Sequence, residues 1–259
     1  MTDLSAALLD IAGIGRQAAW AGWLVFLRVG AVMALLPAFG EQSVPVRVRL
    51  VVTLAFTAVV APAVADRLPP SGGVGVILIE AAAGLMIGAG LRLLVMALQV
   101  AGTIAAQSTS LSQIFGGMGP EPQPAMANLL VVAALALAVS LGLHVRVAEL
   151  LVLSYDILPP GLAPRSADMA SWGLARVAHA VALGFTLAAP FVIAATVYNM
   201  ALGVINRAMP QLMVALVGAP ALTLGGLGLL ALSAPLLLQV WTGVLAGHWA
   251  APFDTTPGP

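Results

Sequence analysis

The stretch VGVILIEAAAGLMIGAGLRLLVMALQVAGTIAA (74–106) runs straight into QSTSLSQIFGGMGPEPQP (107–124), and the change at Gln107 decides how the chain is built. As one helix the first part would be about 50 Å long at ~1.5 Å per residue. A hydrocarbon core is only ~30 Å thick, so part of this helix must tilt or leave the lipid. The second part holds Gly116, Gly117 and Gly119 with Pro120, Pro122 and Pro124, which cannot continue a helix from either side. It also holds Ile114, Phe115 and Met118, which a solvent-exposed linker does not need. An apolar-tipped, glycine-hinged segment between membrane helices is a candidate stopper for a pathway. A segment that tucks its apolar tip into a neighbour would read the same way.

Composition supports that setting. Of 259 residues, 61% are hydrophobic and 8% charged, against roughly half apolar and a quarter charged in a soluble domain. The chain reads as an all-α, multi-helix integral membrane protein in contact with lipid. Net charge is zero, which gives nucleic acid and acidic ligands no electrostatic support. All ten cations are arginine, and the lack of cysteine excludes disulfides and thiolate metal sites. Asp3 and Asp10 precede the first cation, Arg16, so the N-terminal segment lacks the basic lead of a cleavable signal and reads as retained. Leu4, Leu8, Ile11 and Ile14 predict a short amphipathic helix there. The proline-rich end, 250–259, predicts a disordered tail.

Five apolar blocks can be marked at about 21–38, 47–65, 74–106, 127–153 and 174–202, with a sixth region at about 211–247. The sixth is too long for one crossing and carries LGGLG at 224–228, which predicts a helical hairpin turning near Gly225–Gly228. Its eight Leu, Val and Phe residues give the first block about −2.5 to −5 kcal/mol of insertion energy, while a central Arg28 opposes it by about +2.5 to +3.5 kcal/mol. The two nearly cancel, so Arg28 must face protein, water or another subunit. If the blocks alternate sides, Arg16, Arg67 and Arg165 lie on one and Arg47, Arg49 and Arg207 on the other, which leaves no orientation signal. Prolines inside or ending the blocks (Pro37, Pro62, Pro190, Pro210, Pro220, Pro235) predict broken helices that line a cavity or face protein.

Several motifs resemble the FliR family of flagellar export-gate proteins and its injectisome relatives, the SctT family. The likeness begins with RVGAVMALLPAFGEQSVPVRVRLVVTLA (28–55), where Arg28 is followed by Pro37, Pro45 and the pair Arg47 and Arg49. It continues through Glu80, the glycines Gly84, Gly88 and Gly90, the segment 107–124 and SYDILPPG (154–161). It is strongest at NMALGVINRAMPQLMV (199–214), with Asn199, Gly203, Arg207, Pro210 and Gln211. Within segment 107–124, Gly119-Pro120 stands where many relatives carry aspartate-proline.

The resemblance implies a non-enzymatic subunit of a helical export gate in the bacterial inner membrane, at the flagellar basal body. It implies FliP-like and FliQ-like partners, FlhB-like and FlhA-like neighbours, and unfolded flagellar proteins as cargo. Residues 1–249 would form one helical domain, 1–205 organised like the first partner and 206–249 like the second. Segment 107–124 would be the plug, with Ile114, Phe115, Gly116, Gly117, Met118, Gly119 and Pro120 closing the pore. No cofactor is implied.

The remaining polar residues read as structural. Gly84, Gly88 and Gly90 suit close helix packing. Glu80 and Arg92 lie about 18 Å apart along one helix and should each meet a different segment. Arg146 and Glu149, three apart, can pair on one face. His144, His179 and His248 are scattered, and His144 reads as a packed histidine before a proton relay. No nucleophile triad, phosphate loop or carboxylate cluster is present in the sequence. An injectisome subunit of the same family is the nearest alternative. A proton-coupled carrier would need paired carboxylates at midplane, and the sequence offers isolated ones.

Overall fold

The structure, a computed structural model, describes residues 2–41, 43–109, 125–209 and 214–254, with side chains from residue 15 onward and, in the last helix, at Gly218 and from 221. Every regular element among them is helical: α1 (Thr2–Leu35), α2 (Val46–Val64, continued by a 3-10 turn, Ala65–Arg67), α3 (Val74–Thr109), α4 (Ala125–Ser140), α5 (Leu143–Ile157), α6 (Ser166–Ala208) and α7 (Val214–Ala250). Five stretches are long and apolar enough to cross a membrane: 15–35, 46–67, 74–109, 166–208 and 221–250. The pair α4 and α5 supplies a sixth as a broken span.

The chain forms two compact units, each of non-contiguous segments. One comprises residues 1–92 and 139–172, the other 93–138 and 173–259. In the first, Leu24, Val29, Val32 and Met33 of α1 are fully buried with Leu91 of α3 and Leu151 of α5. Pro37 keeps the residue before it out of helical geometry, and α1 ends at Leu35. The turn that follows takes Ala38 to φ 71° and brings the Gly40 amide onto the Leu36 carbonyl at 2.6 Å. Arg49 then ties this loop to the start of α2, donating from Nε to the Phe39 carbonyl (3.2 Å) and from Nη2 to the Glu41 carbonyl (3.0 Å).

In the second unit the last part of α3 is gripped at several heights. The Trp241 indole of α7 donates to the Leu94 carbonyl at 2.9 Å. Gly184 of α6 leaves room for Val100, and Gly102 lets the backbone of α4 at Ala127 approach directly. The α6–α7 pair is antiparallel and joined near both ends. Tyr198 donates to the Gly218 carbonyl (3.0 Å), and Arg176 donates to the carbonyls of Ala251 and Asp254.

Four expectations are corrected. The turn near Gly225–Gly228 does not exist, because α7 runs unbroken from Val214 to Ala250. Its glycines serve packing: a side chain at Gly226 would meet Thr109 Cγ2 at 2.5 Å, so that position is a notch for α3. The block 127–153 is two helices, broken where Gly142 takes a left-handed φ of 84°. The N-terminal amphipathic helix is not separate but continuous with α1. The tail is not free from its start, since Arg176 holds residues 251–254, and only 255–259 lie outside the described residues.

Candidate functional site

Among the described residues, Arg28 is the one buried arginine and Glu80 the one buried carboxylate, both with no exposed surface. They face each other across α1 and α3. Arg28 Nε donates to Glu80 Oε2 at 2.8 Å and Nη2 to Oε1 at 3.0 Å, a two-pronged pairing only a guanidinium can make. The remaining donors turn to α5. Nη1 reaches Ser154 Oγ at 3.0 Å, and Nη2 also reaches the Leu158 carbonyl at 2.9 Å. That carbonyl caps the C-terminal end of α5, where a cation is favoured and an orphan acceptor needs a partner. Tyr155 completes the enclosure, its ring centroid 3.7 Å from the guanidinium carbon.

Close approach of the backbones makes this possible. A Cβ at Gly84 would run into the Arg28 carbonyl oxygen and lie 2.7 Å from Ala31 Cβ, and one at Gly88 would lie 2.9 Å from Leu35 Cβ. The packing expected of Gly84 and Gly88 is therefore the α1–α3 seam, and Gly90 is buried on the same helix. Both carboxylate oxygens of Glu80 accept from Arg28, so the two charges neutralise each other inside the cluster. A carrier's midplane carboxylate pair is not found among the described residues, and neither is a metal-binding group.

The other expected residues fall into three sets. Arg92 pairs with Glu41, Arg146 Nη1 bonds Glu149 Oε2 at 3.0 Å, and Arg49 closes the α1–α2 loop between Pro37 and Pro45. Arg47 is exposed on α2, and Asn199, Gly203 and Arg207 are exposed on the last turns of α6. His144 is exposed at the start of α5 rather than packed. Segment residues Ile114, Phe115, Gly116, Gly117, Met118, Gly119 and Pro120 lie outside the described residues, as do Pro210 and Gln211.

Ser154, Tyr155 and Leu158 were not expected to meet Arg28. Within SYDILPPG, Ser154–Ile157 is the last turn of α5, and the chain turns at Pro160 and Gly161 (φ 76°). A serine and an aromatic at adjacent positions next to a helix end was the available signal. A partner 126 residues away gives no local trace.

Comparison with known proteins gives a consistent answer. Residues 19–247 match the family described as bacterial export proteins, family 1. The chain is 36% identical to the flagellar biosynthetic protein FliR of Caulobacter vibrioides over 85% of its length and 90% of that relative's. It is 28% identical to the protein of that name from Escherichia coli over 84% and 87% of the two chains. Against the one from Bacillus subtilis it is 26% identical over 76% and 79%.

Proposed function

The chain belongs to the bacterial export proteins, family 1, the family of the flagellar biosynthetic protein FliR, and from that premise we propose that it is a core subunit of the flagellar export gate in the inner membrane, forming part of the channel for unfolded flagellar proteins and sealing it at rest. The coarser statement, a membrane component of the flagellar export apparatus, follows from the family and from the five apolar spans. The observation that carries the finer one is the ordered run of motifs from Arg28 to Val214 around segment 107–124, whose apolar tip stands between residues that cannot be helical.

In this reading Ile114, Phe115 and Met118 close the pore, since aromatic and thioether side chains pack adaptably and a hydrophobic constriction stops ions by dewetting. The glycines let the backbone swing aside for cargo. The gate subunit has no chemistry of its own to perform, and energy is coupled elsewhere. Its partners are FliP-like and FliQ-like subunits, with FlhB-like and FlhA-like components adjacent. The exposed apolar residues of α6 and α7, such as Val181, Phe185, Leu224 and Leu232, suit burial against such helices or lipid. The assembly role is tested by affinity purification of the chain co-expressed with these candidates. Recovery as a stable complex with FliP-like and FliQ-like subunits is expected. A chain that purifies as a stable monomer and ignores both would overturn it.

A further inference from the structure

We infer that α1 settles in the membrane only together with α3, because Glu80 is the counter-charge without which Arg28 keeps α1 out. The observations all lie within the first unit. Arg28 sits in the span 15–35 and is fully buried, and its four hydrogen bonds go to Glu80 on α3, to Ser154 of α5 and to Leu158 just after it. The apolar residues of α1 only just offset one unpaired arginine at the centre of a span. The carboxylate that neutralises it lies 52 residues later, on α3, while the acidic residue nearest in sequence, Glu41, is paired with Arg92, so α1 cannot reach its final state before α3 has emerged. The seam is cut for that meeting, because Gly84 lets α3 ride against the backbone of α1 at Arg28 itself.

The two charges differ in what their removal leaves behind. Arg28→Leu takes the charge out of α1 itself and leaves that helix wholly apolar at its centre. Glu80→Leu leaves α1 carrying an arginine that holds its charge. Removing Glu80 should therefore displace α1, whereas removing Arg28 should be mild. A role confined to shape and packing would not produce that asymmetry.

The test uses the full chain in native membranes, with one cysteine introduced as Gly22→Cys. An added side chain there meets nothing within 4 Å, and the chain has no cysteine of its own. The readout is the rate of reaction with a membrane-impermeant maleimide. On the Glu80→Leu background the exposed fraction of α1 should rise on the order of 60- to 300-fold, the cost of one unpaired central arginine expressed as an equilibrium ratio. Arg28→Leu and the double variant Arg28→Leu/Glu80→Leu should react as slowly as the parent. The inference is overturned if Glu80→Leu labels no faster than the parent. It is equally overturned if the double variant labels as fast as Glu80→Leu, since lost packing and not lost neutralisation would then be the cause.

Discussion

Replacing Gly84 by alanine adds one methyl group at the tightest point of the α1–α3 seam. That methyl would run into the Arg28 carbonyl oxygen and lie 2.7 Å from Ala31 Cβ and 3.1 Å from the Arg28 carbonyl carbon. Two of these three atoms are backbone, so relief requires the helices to part by about 1 Å, given an ordinary van der Waals contact of ~3.5 Å. Such a shift stretches the 2.8 Å and 3.0 Å bonds between Arg28 and Glu80 beyond hydrogen-bonding distance. Disrupting a buried ion pair costs about 3–5 kcal/mol, and alanine in a helix returns about 0.8–1 kcal/mol relative to glycine. The net loss is about 2–4 kcal/mol, or roughly 5–15 °C in Tm for a chain of this size. Gly75→Ala is the control, because an added Cβ there meets nothing within 4 Å and stability should not fall. Thermal unfolding of the purified protein in detergent measures both. A Gly84→Ala protein as stable as Gly75→Ala would refute the seam.

Other substitutions separate the contacts that matter from those that do not. Trp241→Phe keeps most of the buried ring but loses the bond to the Leu94 carbonyl, and should cost about 1 kcal/mol in thermal unfolding. Trp241→Ala should cost about 3–5 kcal/mol, because a fully buried indole leaves a cavity. Arg146→Ala should leave stability within about 0.5 kcal/mol, since its bond to Glu149 joins two side chains that are 57% and 58% exposed. A larger effect would mean that the pair is covered in the assembly.

The fold was legible from the sequence where apolar length decides it. Block positions, the termination of α1 at Pro37, and the need for a protein environment around Arg28 all follow from composition and insertion energy. It was not legible where glycine has two uses. Gly225, Gly226 and Gly228 read as a turn but sit inside a helix, and Gly226 admits a neighbouring side chain. Gly142 sat unmarked in an apolar block and yet breaks it, with φ in the left-handed region. Of the buried cluster, the sequence placed Arg28 and Glu80 in the first and third blocks and separated Glu80 from Arg92. It could not choose Ser154, Tyr155 and Leu158, because tertiary packing alone brings α5 to α1. The exposure of Arg47 and Arg207 was equally out of reach, because both depend on which helix faces remain uncovered in this subunit.

The claim that segment 107–124 seals the channel is tested most directly by the ion conductance of membranes carrying the assembled export gate with Gln113–Pro120 deleted. The complex should still assemble, with the two compact units retained, while the membrane becomes leaky to small ions at rest. Unchanged conductance in a deletion mutant shown to be assembled would contradict the plug.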